Sequence, residues 1–382
     1  MYRVDSGLLE RASGRLGDAA LDPTVWPEVM EEISQAVGAA GAALLQSDGR
    51  TADVPRTAGI DELFRAYFGD NWHTRDLRTR GVPALLRGEG VITDQDCVTP
   101  DEVRREAFYN EFLLPLGFKW FAGVGFWAGT ALWALSIQRT IGEGPFSAED
   151  KRLLAELSPR LTDVATLSAA VGRSSVSGIT NALNLVNRPA LVLDRMGFVL
   201  DWNAAADRLF DSSMRVTNRR LMLHGHAARS ALDQLIDRIR ATPDTVSFSM
   251  DSAIVVHRNG KRPVLIRMLP IPNTARSPFL GARVLLIFAD LGPKPGPDPR
   301  LLKSLFGLTA AEAKLASLVA SGAPLDEIAG HLGIARETAR NQLKAVFAKT
   351  ETNRQGELVA LLSQVTGLSS EQQPLPTVAR ST

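Results

Sequence analysis

The segment from Leu308 to Leu362 most constrains what this chain can fold into, because three apolar-periodic stretches are set apart there by glycines. Thr309 and Glu312 stand three residues apart ahead of an apolar stripe at Leu315, Leu318 and Val319, the pattern of a capping box that opens a helix. Gly322 closes that helix. A short second helix follows, with Leu325, Ile328, Ala329 and Leu332 on one face, and Gly333 allows a sharp turn into a third helix near Arg336. On the third helix Ala339, Leu343, Val346 and Phe347 form an apolar side, while Arg336, Arg340 and Lys344 recur every four residues on another. A helix that packs one face inward and presents a row of cations on the other has the geometry for the DNA major groove.

That charge is local. The 382-residue chain carries a formal net charge of +1, so the molecule as a whole has no pull toward nucleic acid. On the third helix Arg336, Arg340, Lys344 and Lys349 are opposed only by Glu337. The single cysteine, Cys97, excludes an intramolecular disulfide and a multi-cysteine zinc site, and fits a reducing cytoplasm. No apolar run approaches the length of a membrane span and the N-terminus lacks a signal pattern, so a cytoplasmic protein without membrane attachment is expected. No Walker loop, metal-ligand cluster or Ser/His/Asp motif occurs, so no enzyme, catalytic residue or metal is expected.

Residues 308–362 resemble the four-helix, LuxR/FixJ-type helix-turn-helix domain of bacterial transcriptional regulators. The frame LTxxExxxxxLVAxG followed by EIAxxLGIxxxTxxxxLxxxFxKTxTxRxxEL is matched throughout. The departures are Ala335 in place of a Ser or Thr cap, Pro324 in place of a polar cap, Gln342 for histidine, Ala339 for valine and Glu351 for glycine. The resemblance implies that Arg340, Asn341 and Lys344 face base edges: Arg suits guanine O6/N7, Asn suits adenine N6/N7, and Lys donates to guanine. It places Arg336, Thr338, Gln342 and Lys349 at phosphates, which fix register without reading sequence. A closing helix, Arg354 to Leu362, carries Leu358, Leu361 and Leu362. In the family this helix pairs two copies, so that a dimer reads an inverted repeat; alternatively, these leucines only cover the domain's own core. A docking role for the whole module, on RNA polymerase or another regulator, is the competing function.

The run GPKPGPDP, Gly292 to Pro299, holds four prolines in eight residues and reads as a semi-rigid spacer. Upstream, strands are expected at Ala190–Asp194, Phe198–Asn203, Ala253–His257, Val264–Leu269 and Arg283–Ala289. Small helices are expected among them, with Asn203 as a helix cap and Asn259-Gly260 as a hairpin turn. This order, with the DxxGxVLxxNxAAxxLF frame around Asp194, Gly197, Asn203 and Ala205, resembles a PAS domain. Such a fold can hold flavin, haem or a metabolite, or only dimerise. The photochemical flavin type needs a cysteine that this segment lacks. His224, His226 and His257 are the candidate haem ligands or plain surface histidines, and no cofactor is implied.

The N-terminal part is expected to hold helices over Gly7–Ala19, Val25–Val37, Asp61–Phe68 and Pro100–Leu113. Its expected strands are Ala40–Gln46, Phe118–Trp127 and Ala131–Arg139, the last two joined through Ala128-Gly129-Thr130. Ser147 and Asp150 cap a long closing helix. The mixture resembles GAF-like sensory domains. Thirteen of the chain's 24 aromatic residues lie between Phe64 and Trp133. They serve a large core or interface, or wall a pocket for a small apolar or aromatic effector. Alternation puts Phe118, Trp120, Ala122, Val124 and Phe126 on one face and Lys119, Phe121, Gly123, Gly125 and Trp127 on the other, with rings on both. The Trp/Tyr/Asp-Pro signature of lactone-binding sensors is absent: Asp76 precedes Leu77. On the closing helix Leu154, Leu157, Leu161, Val164, Ser168 and Val171 make either an intrachain stripe or a dimer seam, with Pro159 as a kink.

The chain is therefore expected to be an α+β multidomain protein. Residues 1–175 form a GAF-like α/β sensor, 176–291 a PAS-like antiparallel sheet domain and 292–299 a linker. A C-terminal all-α four-helix helix-turn-helix domain spans 300–366, and 367–382 form a disordered tail.

Overall fold

The computed structural model describes residues 4–47, 52, 54–241, 253–271, 275–292 and 295–366; the expected tail lies outside them. The N-terminal unit is built on an antiparallel sheet of β1 (Gly41–Gln46), β2 (Val91–Thr93), β3 (Phe118–Ala128) and β4 (Ala131–Thr140), in the order β1-β4-β3-β2. β3 and β4 form the expected hairpin, turning at Gly129 with φ +63°. Pairing puts Ala122, Val124, Phe126, Trp133, Leu135 and Ile137 on one face. That face shares a core with helices α1 (Ser6–Gly14), α2 (Leu16–Leu21) and α3 (Trp26–Ala36). The opposite face presents Phe121, Gly123, Gly125, Ala134, Ser136 and Gln138. It is covered by α4 (Asp61–Gly69), α5 (Val82–Leu86), α6 (Asp94–Cys97), α7 (Pro100–Arg105) and a π-helical turn at Phe108–Leu113. Both faces are buried, which is why β3 carries rings on each.

Two expected helices are broken. The Pro100–Leu113 helix stops where Glu106 takes an extended backbone, ψ 135°, before the π turn. The closing helix divides at Glu156 into α8 (Ala148–Ala155) and α9 (Leu157–Leu185), just ahead of Pro159, whose ring and missing N–H do not fit the interior of a continuous helix. Ser147 and Asp150 form the capping box. Leu154, Leu157, Leu161 and Ser168 are buried within the chain, with Val164 and Val171 half-buried, so the stripe is an intrachain packing face. α9 also runs past the expected boundary at residue 175 and enters the middle unit without a break.

The middle unit follows α9 with β5 (Ala190–Asp194), β6 (Val199–Trp202), α10 (Ala204–Leu209), β7 (Met214–Thr217), β8 (Arg220–Leu223), α11 (His226–Ala241), β9 (Ile254–Arg258), β10 (Lys261–Pro270) and β11 (Ala282–Asp290). Its main sheet is ordered β6-β5-β11-β10-β9, all antiparallel. Leu191, Leu193, Ile266, Leu286 and Phe288 share a core with Leu232, Leu235 and Ile239 of α11, and Val192 and Leu285 on the other face join Val176 of α9. Asn203 caps α10 as expected: its Oδ1 accepts from the Ala206 amide at 2.9 Å and from the Ala190 amide at 3.1 Å, tying helix to strand.

The C-terminal unit comprises α12 (Pro299–Phe306), α13 (Ala310–Ala320), α14 (Leu325–Leu332), α15 (Arg336–Lys349) and α16 (Gln355–Thr366). It has five helices, one more than expected. Pro299 opens α12 instead of ending a spacer, because proline's fixed φ suits a first helical turn and the Asp298 carboxylate accepts from the Arg300 amide at 2.8 Å. Leu302 then enters the domain core. Pro297 is buried, and a Cβ on Gly296 would overlap the Ser317 carbonyl, so this end of the expected linker packs against α13. No helix among the described residues is long and apolar enough to cross a membrane.

Candidate nucleic-acid interface and effector cavity

α14 and α15 are joined at Gly333, whose left-handed φ of +66° closes α14, and the Ile334 amide donates to the Ala329 carbonyl at 3.0 Å. The caps lost in the sequence are lost in the structure: neither Pro324 nor Ala335 offers a side-chain acceptor to its helix. Ala339, Leu343 and Val346 are buried against the domain core. Arg336, Thr338, Arg340, Asn341 and Lys344 are exposed. The Arg336 Nε lies 2.7 Å from Asp326 of α14, and Arg340 lies 3.7 Å from Glu337. Both pairs are solvent-facing and readily exchanged. No carboxylate among the described residues pairs with Lys344.

Two residues assigned to phosphates sit differently. Lys349 donates to Glu312 at 2.7 Å, and that carboxylate also accepts from the Thr309 amide at 2.7 Å in the capping box. Lys349 therefore braces α15 to the start of α13. Its hydrogen bond, with that from Thr309, holds the Glu312 carboxyl below its ordinary value. Gln342 is half-buried, with its Oε1 unpartnered among the described residues. Of the leucines assigned to a dimer surface, Leu358 and Leu362 are fully buried in the domain's own core and only Leu361 is partly exposed. The 3.6-residue period places both on the inward side of α16, which corrects their assignment.

The second feature is a cavity in the N-terminal unit, between the Phe121–Gln138 face of the sheet and its covering segments. Its volume is about 70 Å³. Leu63, Phe64, Leu85, Phe108, Phe112 and Phe121 form apolar walls, and Asp76, Arg78, Ser136 and Gln138 form a polar end. Gly125 leaves room for this wall, since a Cβ there would stand 2.9 Å from Leu85 Cδ2. The buried Arg78 donates through Nε to Asp94 at 2.9 Å, Nη1 to Gln138 at 3.0 Å and Nη2 to the Lys119 carbonyl at 3.1 Å. Its guanidinium also lies 4.8 Å from the Phe121 ring centroid. Asp94 further accepts from the Tyr109 hydroxyl at 2.6 Å and from the Phe121 amide. Burial pushes the Asp94 carboxyl up. On Arg78 burial acts downward but is outweighed by Asp94, Tyr109 and Asp76, which hold the guanidinium cationic. The Tyr67 hydroxyl donates to Asp76 at 2.7 Å. Burial, with Asp94 and Asp96 nearby, pushes the Cys97 thiol up to about 12, so it is not a nucleophile at neutral pH.

Several aromatic residues thus do wall a cavity, as one of the two sequence readings has it. Arg78 and Asp94 were missed. They are ordinary surface types in the sequence, and only the fold buries them together. His224, His226 and His257 are exposed.

No family model and no curated protein matches the chain. Solved structures are similar at low levels, three among them as follows. The complex of phage VqmA with DPO is 15% identical with a TM-score of 0.21, over 51% of this chain and 91% of that one. The Vibrio cholerae VqmA dimer, described among LuxR-type receptors, is 13% identical with a TM-score of 0.20, over 48% and 86%. The E. coli DhaR(N)–DhaL complex is 13% identical with a TM-score of 0.20, over 76% and 94%. Scores this low assign neither fold nor function.

Proposed function

We propose that this chain is a DNA-binding transcriptional regulator that reads an inverted-repeat operator as a dimer and responds to a small effector. The observation that carries the reading is the outward row on α15, with Arg340, Asn341 and Lys344 exposed while Ala339, Leu343 and Val346 anchor the opposite side. Arg340, Asn341 and Lys344 meet base edges, and Arg336 and Thr338 meet phosphates. The Arg336–Asp326 pair opens on binding, because a phosphate replaces the carboxylate at an exposed guanidinium. The β6-β5-β11-β10-β9 sheet and the Asn203 cap support a PAS-like middle domain, and the layered N-terminal unit supports a GAF-like sensor.

The cavity holds the effector. Its walls suit an apolar or aromatic body, and the three nitrogens of Arg78 are already engaged by protein acceptors, which favours a neutral ligand over an anion. The effector acts by population shift, binding one arrangement of the sensor better and so changing how often two α15 helices stand at operator spacing. A salt titration of DNA binding tests the DNA-reading part. Phosphate contacts give a log–log slope of about −0.9 per contact, whereas docking on RNA polymerase through the same surface leaves DNA affinity weak and sequence-independent.

A further inference from the structure

The loop between β10 and β11 closes onto the N-terminal unit. Phe279 is half-buried, and its ring stands edge-on to three others, with centroids 5.4 Å from Trp26, 5.7 Å from Phe126 and 5.2 Å from Trp133. Arg195, from the β5–β6 turn, lies 5.7 Å from the Trp133 ring and donates to the Pro278 carbonyl, gripping the loop from behind. Ser277 and Ser168 of α9 share a buried hydrogen bond of 2.9 Å. Gly172, one turn further along α9, permits this approach, since a Cβ there would stand 2.9 Å from that of Ser277. Gly281, at φ +71°, returns the chain to β11, its amide donating to Ser277 at 2.8 Å and its carbonyl accepting from the Arg195 amide at 2.9 Å.

One strand serves both the cavity and this loop. On β4, Leu132, Trp133, Ala134 and Ser136 all border the cavity, and Trp133, paired with Phe126 on the opposite face of the sheet, also meets Phe279. A body that presses on Ala134 displaces the strand that carries Trp133, because close-packed interiors transmit strain. The indole N–H groups of Trp26 and Trp133 are buried without an acceptor among the described residues. The ring cluster is thus less fully satisfied than an ordinary core, and alternative packings there cost less.

We propose that the Ala275–Gly281 loop is a latch through which the state of the cavity reaches the middle unit. Filling the cavity shifts β4, Trp133 passes the shift to Phe279, and the loop delivers it to β11 and to the β5–β6 turn through Arg195. The role of a ligand in this rests on the effector reading above; the mechanical coupling does not.

Hydrogen exchange on the full-length chain tests it, with Ala134→Leu as a built-in occupant of the cavity and Ala43→Leu, on β1, as a second. Either substitution is expected to change exchange over residues 281–290 by about twofold or more, the lower end for groups in contact. With Phe279→Ala added, the change over 281–290 should vanish while the change in β3 and β4 stays. Where Phe279→Ala loosens the N-terminal unit itself, Phe279→Leu, which keeps apolar bulk, and Arg195→Gln, which releases the loop from the other side, are the alternatives. Leu is expected to retain the coupling and Gln to weaken it. An unchanged 281–290 segment in the filled chain, a change that persists with Phe279→Ala added, or one that Arg195→Gln leaves undiminished, overturns the latch. No readout involves DNA, so loss of operator binding leaves this outcome separately legible.

Discussion

Lys344 is exposed and without a carboxylate partner among the described residues, so Lys344→Ala should leave stability within about 0.5 kcal/mol. Operator affinity should fall by about 1–3 kcal/mol, concentrated at one base position. A thermal melt beside gel shifts on single-base operator variants checks both. Lys349→Ala should behave in the opposite sense, loosening the α13–α15 brace at Glu312. Because Lys349 is more than a third exposed, the loss is expected to stay under about 1 kcal/mol. Glu312 has a pKa below its ordinary value, so its contribution is full above the unfolded value of about 4.3 and fades as pH falls through the lower folded value. Urea unfolding of the C-terminal unit, followed by amide NMR through that acid range, should show a pH dependence that Lys349→Ala flattens. The capping pair Thr309–Glu312 was legible because both partners lie within one turn. Lys349 was not legible as its third member, being 37 residues away from Glu312. The same limit hid Arg78 and Asp94. Arg78→Ala strands a buried carboxylate and should destabilise the N-terminal unit by about 3–5 kcal/mol, read from its denaturant midpoint.

Ala335 leaves α15 uncapped, and Ala335→Ser should add about 1 kcal/mol to the C-terminal unit, measured as a rise in its unfolding midpoint. Signals of this local kind were read well. Ala190–Asp194 matches β5, and the Asn259-Gly260 turn and the Asn203 cap are where the pattern put them. What the pattern missed has identifiable causes. The β7–β8 hairpin turns at Asn218 and Arg219, both with positive φ, and an arginine in the second position hides a turn that glycine would have advertised. α11 carries a 3–4 spacing in Ala228, Leu232, Leu235 and Ile239, but the turn at Gly225 just ahead of it masks the start of the helix in the sequence. Helix α12 was lost inside the proline run, where Asp298-Pro299 is a helix start and not a spacer. Alternation sorted the faces of β3 from Trp120 onward, but a bulge between Phe118 and Trp120 puts Phe118 out of the expected face, and with both faces buried the pattern did not say which one borders a cavity; non-adjacent segments decide that.

The first two units are tied together by α9, which runs unbroken from one into the other, and the last residues of the expected linker pack on α13 of the third. With Leu358 and Leu362 buried, the proposed dimer has to use other surfaces, with Leu361 at the margin of α16 still available. A regulator built this way should bind DNA with an affinity that depends steeply on salt despite a chain charge of only +1, since the charge that matters is confined to α15. The decisive measurement is a titration of the full-length protein onto DNA selected from a random-sequence pool, at several salt concentrations, as wild type and as the Arg340→Ala/Lys344→Ala variant. The account predicts a recovered inverted repeat, a steep negative slope of log affinity against log salt, and loss of sequence preference in the variant. Failure to recover any sequence, or a shallow slope that the double substitution leaves unchanged, would contradict it.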